Sequence, residues 1–287
     1  VLGAGTMGHG IAQVTAGAAY AVVMFDVSTE ALARGYEAIE RNLAKAIQVG
    51  KITDRDREET LQRIRSTSKL EEISDSDLVI EAAPEVLELK QQMLRESESL
   101  TKPECIFATN TSSLSITAIA SASRRAGNVI GMHFFNPVHL MRLVEIVLGK
   151  QTSEETVATI QTVAKQIRKE PIVVKDVPGF ASSRLGVTLG LEAIRMLEEG
   201  VASARDIDTA MELGYNHPMG PLRLTDLVGL DVRLRIAEYL HGALGSECFR
   251  PPDMLRRMVS EGKLGKKTGE GFYEWNGQEQ AQRAYTK

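Results

Sequence analysis

The stretch VLGAGTMG at residues 1–8 constrains the fold more than any other part of the chain. Gly3-x-Gly5-x-x-Gly8 opens a segment, TMGHGIAQVTAGA, that can be helical, and AYAVVMFD then reads as an apolar β-rich run ending at Asp26. In such a unit the first glycine permits a tight turn, the second lets the backbone approach a pyrophosphate, and the third lets the helix pack closely on the sheet. Thr6 and Met7 complete the turn, and the free N–H groups of the helix start face the anion. Asp26, at the end of the next strand, is placed to accept hydrogen bonds from an adenosine ribose, and its charge repels a 2′-phosphate. The unit therefore points to a dinucleotide site preferring NAD to NADP. A glycine turn without a ligand is the competing reading, and it gives the terminal acid no purpose. Only two residues precede Gly3, so further strand residues are expected ahead of Val1.

A chain of 287 residues suggests two domains. Residues 29–49 and 53–64 read as amphipathic helices joined by a Gly-containing turn, a helical insertion at about 29–65 that is longer than a simple crossover. Strands then alternate with helices: DLVIEAA (77–83), a helix over 86–100, CIFATN (105–110), a helix near 115–122, NVIGMHFF (128–135), MRLVEIVL (141–148), a helix over 153–168 and PIVVK (171–175). This alternation predicts a doubly wound α/β domain of Rossmann type, its sheet mostly parallel, with the strands at 128–135 and 141–148 forming an antiparallel hairpin. From KDVPGF onward the periodicity is helical, over 180–199, 203–213, 221–244 and 253–261. The expected division is thus 1–175 for the nucleotide domain and 176–287 for an all-α C-terminal domain. Wide apolar faces such as LGVTLGLEAIRMLEE suit a dimer interface.

Composition excludes several function classes. With 43% hydrophobic and 25% charged residues the chain has the make-up of an ordinary globular protein. A net charge of −4, with Lys and Arg scattered, gives no basis for a nucleic-acid partner. No apolar run approaches the roughly 18 residues of a membrane span. Cys105 and Cys248 lack a CxxC or a companion His at ligand spacing, so no metal site is expected. Both read as free thiols of a reducing compartment, the cytoplasm.

Of the five histidines, His9, His139, His217 and His241 sit in turns or on polar helix surfaces and suit solvated or structural roles. His133 opens an apolar run, GMHFFNPVHLMRLVEIVLGK, late in the α/β domain, where strand ends face a ligand crevice. A satisfied core histidine is the ordinary reading of such a residue. Glu145 changes it, because a turn centred near residue 139 sets positions 133 and 145 opposite each other. A base with an orienting carboxylate is what alcohol oxidation by NAD needs, since the hydroxyl proton must leave as the hydride departs. Ser112, just past a strand end in ATNTSSLSI, suits either a contact to the reacting oxygen or a helix-capping turn.

GAGTMG, VIEAAPE, NTSSL, HFFNPV with VE following, DVPGF, DIDTAM, HPMGPLRLTDLVGLD and GKKTGEGFYEW occur in this order over essentially the whole chain. The set resembles the short-chain L-3-hydroxyacyl-CoA dehydrogenases, including bacterial 3-hydroxybutyryl-CoA dehydrogenases. That resemblance implies an NAD domain, a helical substrate and dimerisation domain, and NAD-linked oxidation of an L-3-hydroxyacyl-CoA to the 3-ketoacyl-CoA, a step of fatty-acid β-oxidation. It implies that His133 is the catalytic base and Glu145 its partner, that Ser112 lies near the substrate oxygen, and that Asn136 lies near nicotinamide and substrate. Glu85, Lys90 and Lys267 match positions lining the NAD site; taken alone they fit an exposed charged face.

Two departures stand out. The family commonly has Asn in a PGFxxNR pattern where PGFASSR has Ser183, and serine lacks the second group of the amide. The helical pair after Asp26 is where the family holds the nucleotide end of CoA. There Asn42 replaces an expected serine, and Lys45 and Lys51 suit either phosphate contact or plain solvation. Two further assignments fit the same residues: a dehydrogenase of free hydroxy or sugar acids of the L-gulonate type, and a non-catalytic NAD-binding protein of the crystallin kind.

Overall fold

The computed structural model describes residues 1–275. The chain divides into two compact units, Val1–Phe180 and a helical one from Ala181 onward. The final stretch of the expected 176–287 domain, residues 276–287, lies outside the described residues.

The first unit runs α1 (Gly8–Gly17), β1 (Val22–Phe25), α2 (Thr29–Gln48), α3 (Asp54–Gln62), β2 (Ile64–Thr67), β3 (Leu78–Glu81), α4 (Leu87–Leu100), β4 (Ile106–Thr109), α5 (Ile116–Ala120), β5 (Val129–Phe134), β6 (Leu143–Leu148), α6 (Glu154–Gln166) and β7 (Glu170–Lys175). Leu2 bridges in parallel to Phe25 on one side and Glu81 on the other. The sheet order is therefore β2-β1-Leu2-β3-β4-β5-β6-β7. Its central strands β4 and β5 are buried along their whole length. They read as continuous apolar runs because helices cover both faces. Ile116, Phe107 and Val129 pack on one face, and Ile130, Met132, Ile146 and Ala164 on the other.

Local chemistry sets the helix starts. Ser28 accepts a hydrogen bond from the Ala31 N–H at the head of α2, and Thr53 with Asp56 forms a reciprocal capping box on α3. The helix expected over 53–64 ends at Gln62, and the strand that follows, β2, is absent from the sequence pattern. IRST has buried ends and exposed middle residues, so an edge strand leaves no alternation to detect. Because β1 and β2 pair in parallel, Val22 opposite Ile64, the two helices are the crossover between them rather than an addition to one.

β5 and β6 pair antiparallel, with His133 opposite Glu145, as the sequence spacing predicts. β7 then runs parallel to β6.

The second unit contains α7 (Ser182–Glu198), α8 (Ala204–Gly214), α9 (Pro221–Val228), α10 (Leu230–Leu244) and α11 (Asp253–Ser260). The single helix expected over 221–244 is two helices. Gly229, at φ +99°, takes a backbone conformation that no helix continues through. The buried Asp226 of α9 accepts hydrogen bonds from the backbone N–H groups of Phe272 and Tyr273 and from the Trp275 indole, at 2.8–3.0 Å. This carboxylate thereby fastens the GKKTGEGFYEW segment to its own unit. No helix among the described residues is long and apolar enough to cross a membrane.

Candidate functional site

The glycine turn is built by close approach. Gly3 has φ +100°, and a Cβ there would meet the Ala82 carbonyl oxygen at 2.8 Å. A Cβ at Gly8 would lie 1.7 Å from the Gly3 carbonyl oxygen. A Cβ at Gly5 would meet no protein atom within 4 Å, so nothing in the chain itself demands glycine there. That position fits a backbone that a ligand must approach. The start of α1 carries no side-chain cap, and such a helix end suits an anion.

Asp26, half-buried at the end of β1, accepts the Ala4 N–H on Oδ2 at 2.8 Å and the Ser28 N–H on Oδ1 at 3.0 Å. Its carboxylate is thus locked between the glycine loop and the head of α2. Gly3, Gly5, Thr6, Met7, Asp26 and Pro84 line one cavity of about 650 Å³. Volume, open backbone and terminal acid together fit a dinucleotide.

A second cluster holds three of the expected residues, Glu85, Ser112 and Lys90. Glu85 Oε1 accepts hydrogen bonds from the hydroxyls of Thr111 (2.6 Å), Ser112 (3.3 Å) and Ser113 (3.0 Å), and from the Ser112 and Ser113 N–H groups (2.9 and 3.0 Å). Its partial burial works to raise the carboxyl pKa, but the Thr111 hydroxyl, the Lys90 charge and the Ser112 and Ser113 donors outweigh it. The carboxyl is held below its ordinary value. Ser112 itself is exposed. Asp176 steadies the same loop from beyond, accepting from the Ser115 hydroxyl at 2.7 Å and from the Ile116 and Thr117 N–H groups at 3.0 and 2.8 Å.

Lys90 corrects the expectation of an exposed charge. It is 1% exposed, with Nζ 2.7 Å from Glu81 and 3.4 Å from Glu85. Its ammonium reaches Glu85 and the carbonyl of Ala83, a residue that lines the cavity. Glu81, which the sequence reading left unremarked, is completely buried and also accepts from the Ala83 N–H and the Thr109 hydroxyl, both at 2.6 Å. A lone acid closing an apolar strand, with a lysine nine residues on along a helix, is the signal that marks this pair.

His133 lies on β5, 8% exposed, with Nδ1 2.7 Å from Oε2 of the fully buried Glu145. An ionised carboxylate only accepts, so Nδ1 carries the proton of the neutral ring and Nε2 keeps the lone pair. The ring packs beside Phe135 and Phe180, with centroids at 4.6 and 5.8 Å. Asn110, also missed by the sequence reading, accepts the Phe134 N–H at 2.9 Å and ties the end of β4 to β5 next to His133. Asn136 is exposed in the following loop, ahead of a cis peptide bond to Pro137.

The remaining expected residues are spread more widely. Asn42 donates to Gln13 at 3.0 Å, while Lys45 and Lys51 are exposed on the helical pair. Lys51 lines a separate recess of about 450 Å³ with His139 and Lys169. Burial first, then the nearby charges of His9, Lys169, Lys45 and Lys51, lower the His139 pKa. Ser183 is half-buried in the first turn of α7, and Lys267 is exposed and paired with Asp231 of α10; both belong to the second unit.

Comparison with known proteins adds an independent line. Residues 1–177 match the model of the 3-hydroxyacyl-CoA dehydrogenase NAD binding domain, and residues 179–275 that of the 3-hydroxyacyl-CoA dehydrogenase C-terminal domain. The chain is 48% identical over 275 residues to a protein of Deinococcus radiodurans named a probable 3-hydroxybutyryl-CoA dehydrogenase, covering 96% of this chain and 99% of that one. It is 42% identical over 276 residues to the 3-hydroxybutyryl-CoA dehydrogenase of Clostridioides difficile, covering 96% and 98%. Among solved structures, the (S)-3-hydroxybutyryl-CoA dehydrogenase of Ralstonia eutropha superimposes with a TM-score of 0.92 at 42% identity, over 96% of this chain and 97% of that one.

Proposed function

The chain belongs to the 3-hydroxyacyl-CoA dehydrogenase family, an NAD-dependent oxidoreductase family, and from that premise we propose a specific reaction and a role for each residue. The substrate is a short L-3-hydroxyacyl-CoA such as 3-hydroxybutyryl-CoA, the product the 3-ketoacyl-CoA. Relatives of similar length carry the name 3-hydroxybutyryl-CoA dehydrogenase, which supports the short acyl chain. Bound NAD supplies the acceptor for the hydride that leaves C3.

The chain's own residues manage the proton. Nε2 of His133 takes it from the 3-hydroxyl as the C–H bond breaks, and the imidazolium later passes it to water. Glu145 holds the ring in the tautomer that leaves Nε2 free and offsets the imidazolium charge. The Ser112 hydroxyl donates to the reacting oxygen, and the Asn136 amide orients substrate and nicotinamide. Glu85, fixed by Lys90, keeps the Ser112 loop in place, and Asp26 selects NAD over NADP by repelling a 2′-phosphate. The helical pair with Asn42, Lys45 and Lys51 meets the CoA nucleotide, while Ser183 and Lys267 serve substrate and cofactor from the helical domain. That domain also forms a homodimer, a reading supported by exposed Leu213, Tyr215, Leu224 and Leu227. The free thiols Cys105 and Cys248 support a cytoplasmic location.

The observation that carries this proposal is the 2.7 Å His133–Glu145 pair across β5 and β6. It is tested with acetoacetyl-CoA and NADH on the His133→Gln variant. Turnover should drop about 10²- to 10⁴-fold while NADH affinity is retained. Normal turnover in that variant removes His133 from the mechanism. A parallel arm with free acetoacetate separates a CoA-dependent enzyme from one acting on free acids.

A further inference from the structure

Lys169 is buried, at 6% exposure, yet takes no part in the chemistry proposed above. Its ammonium donates to the carbonyl oxygens of Val138 and, at 2.8 Å, Met141. Those carbonyls belong to the loop that leaves β5 after His133, carries Asn136 and enters β6 at Leu143. We infer that Lys169 is a positioning residue for the dehydrogenase reaction, pinning this loop so that Asn136 and the end of the His133 strand keep a fixed place against the nucleotide-binding helix. The inference rests on the reaction proposed above.

Three observations bear on it. First, the chain invests in delivering this side chain. α6 ends at Gln166, and Arg168 adopts φ +59°, a left-handed conformation costly for a residue with a Cβ. Lys169 follows it, with its N–H bonded to the Ala164 carbonyl and the Glu170 N–H bonded to that of Arg142. The turn thus brings the lysine under the loop and anchors β7 beside the loop's end.

Second, the loop is held from the opposite side by α1. Val138 is 2% exposed, and a Cβ on Gly10 would meet its Cβ at 2.9 Å. Val138 is therefore held between the helix that follows the glycine turn, on its side chain, and the Lys169 ammonium, on its carbonyl. The N–H groups of Leu140 and Met141 both bond to the Pro137 carbonyl, closing the loop into one tight turn.

Third, the ammonium is spent on carbonyls. Among the described residues no carboxylate pairs with it, and burial lowers its pKa to about 8. A buried cation without a counter-ion is a costly way to hold a loop. Its two directed hydrogen bonds, each from the charged ammonium to a carbonyl oxygen, define one loop geometry tightly.

The experiment compares Lys169→Arg, Lys169→Gln and Lys169→Met, assayed with acetoacetyl-CoA and NADH, each with its NADH affinity measured by fluorescence titration. Arginine keeps a charged double donor, glutamine a neutral one, and methionine none. The expected result is a graded loss of kcat, smallest for arginine and roughly 10- to 100-fold for methionine, with NADH affinity held within about twofold. A methionine variant with wild-type kcat overturns the inference, as does a parallel fall of kcat and NADH affinity in all three. Should the methionine variant not fold, a glutamine variant as active as the wild type overturns it alone. His133→Gln, run alongside, separates the two claims. An active His133→Gln sinks the reaction proposal, whereas an inactive one beside a fully active Lys169→Met sinks only the role of Lys169.

Discussion

His133–Glu145 and Lys90–Glu81 are both buried pairs with a 2.7 Å contact, and the proposed reaction gives them opposite jobs. In the Lys90 pair every strong group faces protein. Glu81 takes hydrogen bonds from Lys90, Ala83 and Thr109, and Lys90 also meets Glu85 and the Ala83 carbonyl. In the histidine pair Nδ1 meets Glu145, and we propose that Nε2 serves the substrate. Burial and pairing alone therefore do not mark chemistry; on the proposed reading, a ring nitrogen left over after pairing does.

The sharpest way to break this comparison is Glu145→Gln. Replacing the acceptor-only carboxylate permits the wrong ring tautomer and withdraws the counter-charge, so kcat for acetoacetyl-CoA reduction should fall at least about 100-fold, with NADH titration unchanged. An unaltered kcat would mean that the two pairs do not differ as described. Lys90→Met strands the Glu81 carboxylate in the core. Urea unfolding should register a loss of about 3–5 kcal/mol, whereas the Glu145 variant loses mainly activity. If Lys90→Met were as stable as the wild type, its pair would not be scaffold.

Smaller effects probe the edges of the cleft. Asp26→Asn keeps an acceptor but removes the charge, so the NADH-to-NADPH preference in kcat/KM should narrow about tenfold. A ratio that does not move would take selectivity away from Asp26. Glu85 contributes least, because its side chain is 36% exposed and solvent screens it. Its folded pKa lies below the ordinary carboxylate value, so its stabilisation is present above that ordinary value and disappears as pH falls through the folded one. Acid unfolding of Glu85→Gln should differ from wild type by up to about 1 kcal/mol at neutral pH and converge with it in strong acid. A constant gap across that range contradicts the assignment.

Much of the fold was legible because it depends on near neighbours. The glycine turn, the strand ending at Asp26 and the hairpin that sets His133 against Glu145 follow from spacing along one chain segment. The strand β2 was not, since two of its four residues face solvent and no alternation announces it. The break at Gly229 hid in an apolar run that continues with helical period on both sides.

The site divides in the same way. His133, Glu145 and the cofactor glycines carry side-chain or backbone signals readable in order. Lys90 matches a position lining the NAD site and, taken alone, fits an exposed face because a lysine ordinarily is exposed; only the approach of Glu81 from another element makes its burial tolerable. Among the described residues Lys169 bonds only to carbonyls, which every residue possesses, so no side-chain pattern reveals it. Sequence by itself determined the nucleotide fold and the pairing of His133 with Glu145, because each rests on residue type at fixed spacing. Tertiary structure alone decided which charges are buried and what they hold, because the cost of removing a charge from water is set by groups that meet only when the chain has folded.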